Sequence, residues 1–333
     1  VNGLNSLLAL VQNETIKMIK KRRFLVVVII LAALIPIFTY AQMRVAQNNL
    51  KQFGTQDWRV EARQQLKDYT TRLNSPRMPE EFKQRLKVQT QLLQYYLDHD
   101  IDPRSPNAVT FTRDFAKNSI GLFIPLIVMV FAADIVSSEH SAGTIKLLLT
   151  RPVRRWKILM SKLITVILFV SLSILTLAVL CYAISGVVFG YGGWGIPSFV
   201  GFVTSGDNLD VTHVRAVPQW LYLLMELGLA WCVGVVVAVI SLMLSVLIRS
   251  TAASMGTMLA IIIAGTILQN MVSSWESAKY LFMVNLRLTD YLDGSLPPIK
   301  GMTLGFSLTV LALWTAAAIA VSFFHFTRKD VLN

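Results

Sequence analysis

Six long apolar runs alternate with polar stretches along this chain: Phe24–Gln42, Ser119–Val136, Leu163–Phe189, Trp220–Ile248, Ala252–Val272 and Met302–Phe326. A helix rises about 1.5 Å per residue, so about 20 apolar residues cross a hydrocarbon core about 30 Å thick. Lipid offers the backbone no hydrogen-bond partners, and runs of this length therefore predict helical spans. Pro36 and Pro125 lie within the first two runs and predict kinks. The first run is too long for a signal-peptide core, and Tyr40–Gln42 lacks a small-x-small cleavage pattern, so it is expected to stay in the chain.

The polar stretches have their own patterns. Leu4, Leu8, Val11, Thr15 and Met18 recur at helical spacing ahead of a Lys/Arg cluster, which predicts an interfacial helix within residues 1–23. Met43–Asn118 resembles a soluble insert. One helix is expected over Gln42–Leu73, a break at Ser75-Pro76-Arg77-Met78-Pro79, and a second helix opening on Pro79-Glu80-Glu81 and ending near Asp98. Phe82, Leu86, Leu93 and Tyr96 or Leu97 would share one face of it. The expectation is an external helical hairpin, too small for its own core and packed on a twin or on the spans. It would gate, recognise substrate or cap the outer mouth. Gly186, Gly190, Gly192, Gly193 and Gly195 lack the ending of a phosphate-cradling loop and predict a flexible turn. Ser273–Gly301 is too polar to span and too apolar for a plain loop, which predicts short helices in or dipping into the outer leaflet. The small residues Ala252, Gly256, Ala260 and Ala264, and then Ala312, Ala316 and Ala320, are expected to pack helices inside the chain.

Composition narrows the class. Of 333 residues, 54% are hydrophobic and 15% charged, far from a soluble domain's usual quarter charged. Disorder and disulfide-stapled modules are excluded, and Cys181 and Cys232 read as small buried hydrophobes. The fold class expected is an all-α polytopic membrane protein with six spans. Lys17, Lys20, Lys21, Arg22 and Arg23 precede the first span, and Lys146, Arg151, Arg154, Arg155, Lys157 and Lys162 separate the second from the third. The short loops of the other side hold only Arg215, Lys279, Arg287 and Lys300. This asymmetry places both termini in the cytoplasm. A net charge of +12 suits anionic lipid headgroups; no basic domain suggests nucleic acid.

Catalytic chemistry fails on inventory. His99, His140, His213 and His325 are scattered, with no zinc-ligand spacing, and neither G-x-S-x-G nor G-x-x-x-x-G-K-[ST] occurs. The chain is therefore expected to be no enzyme, with no catalytic residue, no metal and no bound cofactor. Glu226 is the one acid well inside a span, about 9 Å from Trp220 by helical rise. Its readings are a cargo or gating role, or interfacial pairing with water or Arg215.

The most informative stretch is Asp134–Lys162. Gly143 and Thr144 allow a turn, a short helical pattern follows, Arg151-Pro152 breaks it, and Arg154, Arg155 and Lys157 lead into the third span. Ile145, Leu148 and Leu149 would supply apolar contact area for a partner's groove; an anchored cytoplasmic turn is the equal alternative. Glu139, Gly143-Thr144, Leu147–Thr150, Arg151-Pro152-Val153-Arg154-Arg155 and the closing Lys162 resemble the signature of the ABC-2 family of ABC-transporter permeases. Glu14-Thr15-Ile16-Lys17 before a basic cluster is similar to that family's N-terminal interfacial helix. The insert Met43–Asn118 is longer than in the simplest members. The resemblance implies a permease subunit, an exporter in a bacterial plasma membrane, whose segment Glu139–Arg155 is the coupling helix. It also implies a dimer of ATPase subunits, which would hold ATP and Mg, and a second permease subunit, identical or homologous. A sensor subunit on the same scaffold is the alternative; a secondary transporter would need midplane charges and two similar halves, which the sequence lacks.

Overall fold

The computed structural model describes residues 3–54, 57–76, 78–103, 105–144, 153–205, 208–271 and 275–328. The chain is a mostly helical, multi-pass membrane protein. Its helices are α1 (Gly3–Lys20), α2 (Arg23–Phe53), α3 (Trp58–Leu73), α4 (Glu80–Asp98), α5 (Ala108–Ser119), α6 (Phe123–Ala132), α7 (Ser137–Ser141), α8 (Arg155–Phe189), α9 (Gln219–Leu247), α10 (Thr251–Met271) and α11 (Leu304–Arg328). Among the described residues α2, α8, α9, α10 and α11 are long and apolar enough to cross a membrane, and the bent pair α5–α6 makes a sixth span if counted as one.

The centre is built from α8 and α9. α9 packs on α5, α6, α8, α10 and α11, while α1, α2 and α5 pack on α8. Gly234 lets the two central helices close up: a Cβ there would meet Val170 Cγ1 at 2.8 Å. Val27, Leu31 and Ile35 recur every fourth residue on α2 and are fully buried, whereas Leu25, Ile29 and Ile37 of the same helix are more than half exposed. Such an outward apolar face suits lipid. α2 continues through Pro36 and ends at Gly54, whose φ of 68° lets its N–H reach the Leu50 carbonyl.

The second run differs from its expected form. Instead of one helix over Ser119–Val136 there is a 66° bend between α5 and α6, at residues 120–122. Pro125 does not kink a helix. It is the third residue of α6, where no intrahelical N–H bond is available to lose. The polar residues of 108–118, read as the end of the insert, belong to α5, the first limb of this bent pair.

α3 and α4 pack on each other. Pro79 caps α4 from just outside rather than opening it. Of the residues expected to share one face, Leu86 and Tyr96 are buried and Phe82 is exposed. α4 docks on the segment between α8 and α9, which departs from the all-α expectation. There β1 (Pro197–Val200) pairs antiparallel with β4 (Arg215–Pro218), and β2 (Val203–Ser205) with β3 (Asn208–Asp210). Tyr95 and Tyr96 of α4 pack on Phe199 and Phe202, and the Leu209 N–H donates to Gln91 Oε1 at 2.7 Å. The glycine-rich turn leading into this segment is held by contacts. The Tyr191 ring lies over Gly186, and Gly193 lies against Asn107.

The two small-residue stripes also depart from expectation. Ala252, Gly256, Ala260 and Ala264 on α10, and Ala312, Ala316 and Ala320 on α11, all face outward. Spacing fixes that such residues share a face, not which way the face points. Between α10 and α11, Glu276–Tyr280, Phe282–Asn285 and Leu288–Tyr291 form three short 3-10 turns, as the mixed polarity of that region anticipates.

Candidate functional site

Two buried charge clusters lie at opposite ends of the bundle. The first joins α1, α7 and the start of α8. α1 turns Glu14 inward, with its side chain 6% exposed, and α8 brings in Lys162 at 0%. Lys162 Nζ donates to Glu14 Oε2 at 2.9 Å, to Glu139 Oε1 at 2.8 Å and to the Ile135 carbonyl at 3.3 Å. Lys17 Nζ closes the ring, 2.7 Å from Glu14 Oε1 and 3.2 Å from Glu139 Oε1. Two lysines and two glutamates thus alternate, which is how charges persist away from water. Burial pushes the Glu14 carboxyl up, but Lys162 and Lys17 outweigh it and hold it below its ordinary value. Burial pulls Lys17 down, and Glu14 and Glu139 more than reverse that.

Around this ring the polar links continue. Arg23, at the foot of α2, pairs through both terminal nitrogens with buried Asp134 and also donates to the Val130 carbonyl at 3.1 Å. Ser245 Oγ of α9 accepts from the Val136 and Ser137 N–H groups at 3.0 Å each. Ser141 Oγ donates to the Arg249 carbonyl at 3.1 Å, in the turn between α9 and α10. Gly143 has φ 68° and follows α7, and Thr144 Oγ1 donates to the Glu139 carbonyl at 3.4 Å. On the far side of the segment, Arg155 reaches the Thr327 carbonyl at 3.5 Å and Lys157 reaches Ser6 Oγ at 3.0 Å; Arg154 caps α8. Ile145, Leu148, Leu149, Arg151 and Pro152 lie outside the described residues. The segment's two flanks are therefore tied to α1, α8, α9 and α11.

Of the sequence-selected residues, Glu139 enters the ring, and Gly143, Thr144, Arg154 and Arg155 form the flanks. Glu14, Lys17 and Lys162 were grouped with Glu139 only by resemblance; spacing carries no signal for their contact. The Arg23–Asp134 pair was missed. Its signal was a lone acid at the end of an apolar run opposite a basic cluster.

The second cluster surrounds Glu226. It is 1% exposed, and neither carboxyl oxygen has a hydrogen-bond partner. Interfacial pairing with Arg215 is not what the fold provides: Arg215 lies exposed on β4. The charges facing Glu226 are Arg113, Asp114, Lys117 and Asp293. Arg113 donates to Asp114 Oδ1 from Nε and Nη2 at 3.1 Å each and to the Pro103 carbonyl at 2.9 Å, with its guanidinium 5.3 Å from the Tyr222 ring centre. Lys117 pairs with Asp293. An unpaired buried carboxyl beside two engaged cations is suited to holding a proton or receiving a cationic group. Among the described residues no group of three or more His, Cys, Asp and Glu side chains is placed to hold a metal ion.

The model of a family described as a protein of unknown function, DUF2705, matches residues 83–332. The chain is 32% identical over 243 residues to the uncharacterized protein YhcI of Bacillus subtilis strain 168, across 72% of this chain and 74% of that one. It is 29% identical over 215 residues to the uncharacterized membrane protein YdbK of the same organism, across 64% and 80%.

Proposed function

The chain belongs to the DUF2705 family, and we propose that this member is the transmembrane subunit of an ATP-driven ABC transporter of the ABC-2 type, working as an exporter. The observation that carries the reading is the alternating ring Glu14, Lys17, Glu139 and Lys162. It joins the acid that opens the candidate coupling segment to the interfacial helix and to the lysine entering the third span. A push on residues 139–155 would then reach α1 and α8 through ion pairs, and α9 through Ser245, in one step.

In this reading both termini and the coupling segment face the cytoplasm, α3 and α4 lie outside, and ATP with Mg belongs to a separate ATPase dimer. The membrane is the bacterial plasma membrane. The outward small-residue faces of α10 and α11 suit a second permease subunit, identical or homologous, because small residues let helices approach closely. A sensor subunit on the same scaffold is the second reading, favoured by the docking of α4 on the β1–β4 segment, which gives an outer detector a direct route to α8 and α9. Purification from native membranes decides between these and unrelated readings. The expected result is a stoichiometric ATPase that is lost or uncoupled by Leu148→Asp, plus ATP-dependent efflux from vesicles. A bound ATPase without any transported solute selects the sensor, and a chain that never retains an ATPase removes both.

A further inference from the structure

A cavity of about 520 Å³ lies between the C-terminal half of α2 and the α5–α6 bend. That volume is within the range of small-molecule sites. Phe38, Phe111, Phe115 and Phe123 form much of its wall. Their rings meet edge-on or stacked, with Phe115 in contact with each of the other three at 5.6–6.3 Å between centres. Asp114 is the one charged residue in the lining. Its side chain is 35% exposed, and the contacts with Arg113 engage Oδ1.

Helical rise sets the depth of the cavity. Counted from Arg23, Leu34 lies about 16 Å up α2 and Gln42 about 28 Å up. The apolar end is therefore inside a hydrocarbon core about 30 Å thick, and the end carrying Gln42 and Asp114 reaches its boundary. Behind Asp114 lie Arg113, Lys117, Asp293 and the unpaired Glu226 carboxyl. Lys117 is taken up by Asp293, and Arg113 engages Asp114 through Oδ1 alone. The polar end thus offers one carboxylate oxygen, Asp114 Oδ2, outside the contacts with Arg113, and four phenylalanine rings line the approach. Aromatic faces and a carboxylate attract the same kind of head: an ammonium.

We propose that this cavity binds an amphipathic ammonium, its alkyl body against the four phenylalanines and its head on Asp114, taken up from the adjoining leaflet. The site needs only the bend between α5 and α6, and does not rest on coupling to an ATPase.

The test uses the full chain in phosphatidylcholine nanodiscs near pH 7. The probe is dodecylamine with a diazirine in its chain, and labelled peptides are mapped by mass spectrometry. Labelling is expected within residues 34–45 and 111–123. Dodecylamine should displace the probe at about tenfold lower concentration than dodecanol or dodecanoate, the margin of a charge-assisted contact. Asp114→Asn should bring the three competitors within about threefold of one another, and Ala41→Trp, which fills the cavity, should abolish labelling. Thermal unfolding of each variant checks that it is folded. Should Asp114→Asn not fold, the competition series on the unaltered chain decides alone. Equal competition by dodecanol makes the cavity an ordinary acyl-chain groove and overturns the proposal, as does labelling confined to other helices.

Discussion

The Lys162 ammonium lies 2.8 Å from Glu139 Oε1, and no part of the lysine is exposed. The two residues are 23 positions apart, on α8 and α7. A lysine so placed finds its partners in Glu139 and Glu14 together, and both acids are also shared with Lys17. Three separate segments are thereby locked in one register: none can shift by a helical turn without leaving a charge alone in the interior.

Removing the central cation should therefore be severe. Lys162→Met leaves two largely buried carboxylates facing Lys17 alone. Breaking a buried pair in this way costs about 3–5 kcal/mol, measured as a shift in the denaturant midpoint in detergent. Adding Glu139→Gln should restore part of the loss, with a coupling of at least about 1 kcal/mol in the double-mutant cycle. Strict additivity of the two changes would show that the pair contributes nothing.

The same ring fixes a pH profile. Glu14 sits below its ordinary value of 4.5, so its contribution is complete above that value and is lost as pH falls through the lower, folded one. Lys17 sits above its ordinary value of 10.5, so its contribution is complete below that value and is lost as pH rises through the higher, folded one. Docking of α1 should be steady between about pH 5 and pH 10 and weaken on both sides. A fluorophore on α1 reports it. Glu14→Gln should flatten the acid limb, and an unchanged acid limb would count against this assignment.

Much of the architecture is legible in the sequence because long apolar runs have one solution in lipid. The bend after Ser119 is not. Arg113, Asp114 and Lys117 look like solvated residues of an insert until Asp293 and Glu226, more than a hundred positions away, supply their surroundings. The alanine stripes of α10 and α11 share the difficulty, since spacing alone does not give direction. Glu139 and Lys162 stand out only through resemblance, because their contact depends on how α7 meets α8.

Close packing at the end of α8 gives a test independent of charge. A Cβ on Gly186 would collide with the Tyr191 ring, and that ring is tethered by its hydroxyl, which donates to the Ala183 carbonyl at 3.0 Å. Gly186→Ala should cost about 1–3 kcal/mol by overpacking. In a Tyr191→Ala background the same change should cost less than about 0.5 kcal/mol. Equal costs in both backgrounds would place the strain elsewhere.

Topology is open to direct labelling. Single cysteines replacing Lys20, Lys146 and Asp330 should react only after the membrane is opened. Those replacing Val60, Thr90 and Asp207 should react from outside intact cells. The expectation follows from the Lys/Arg asymmetry of the short loops. External reaction at position 146 would invert the arrangement and remove the proposed coupling segment from the reach of any cytoplasmic ATPase.

The last prediction separates turn geometry from the mere presence of the segment. Gly143 adopts φ 68°, and a Cβ built on it meets nothing within 4 Å, so only backbone preference resists substitution. Asparagine visits this region at modest cost, whereas proline is held near φ −65° and would have to re-aim the chain. Proline also lacks the N–H that Gly143 donates to the His140 carbonyl at 3.0 Å. The ring at Glu139 lies before the turn and should persist in both variants, so insertion and thermal stability should be close to the parent's. If residues 139–155 transmit force, Gly143→Asn should retain at least about half of transport-linked ATP hydrolysis, and Gly143→Pro should lose at least about tenfold. Binding of the ATPase, measured by co-purification, then tells whether proline abolishes seating or only transmission. A plain membrane anchor predicts that both variants behave alike; proline equal to asparagine in both assays would leave the segment without a coupling role.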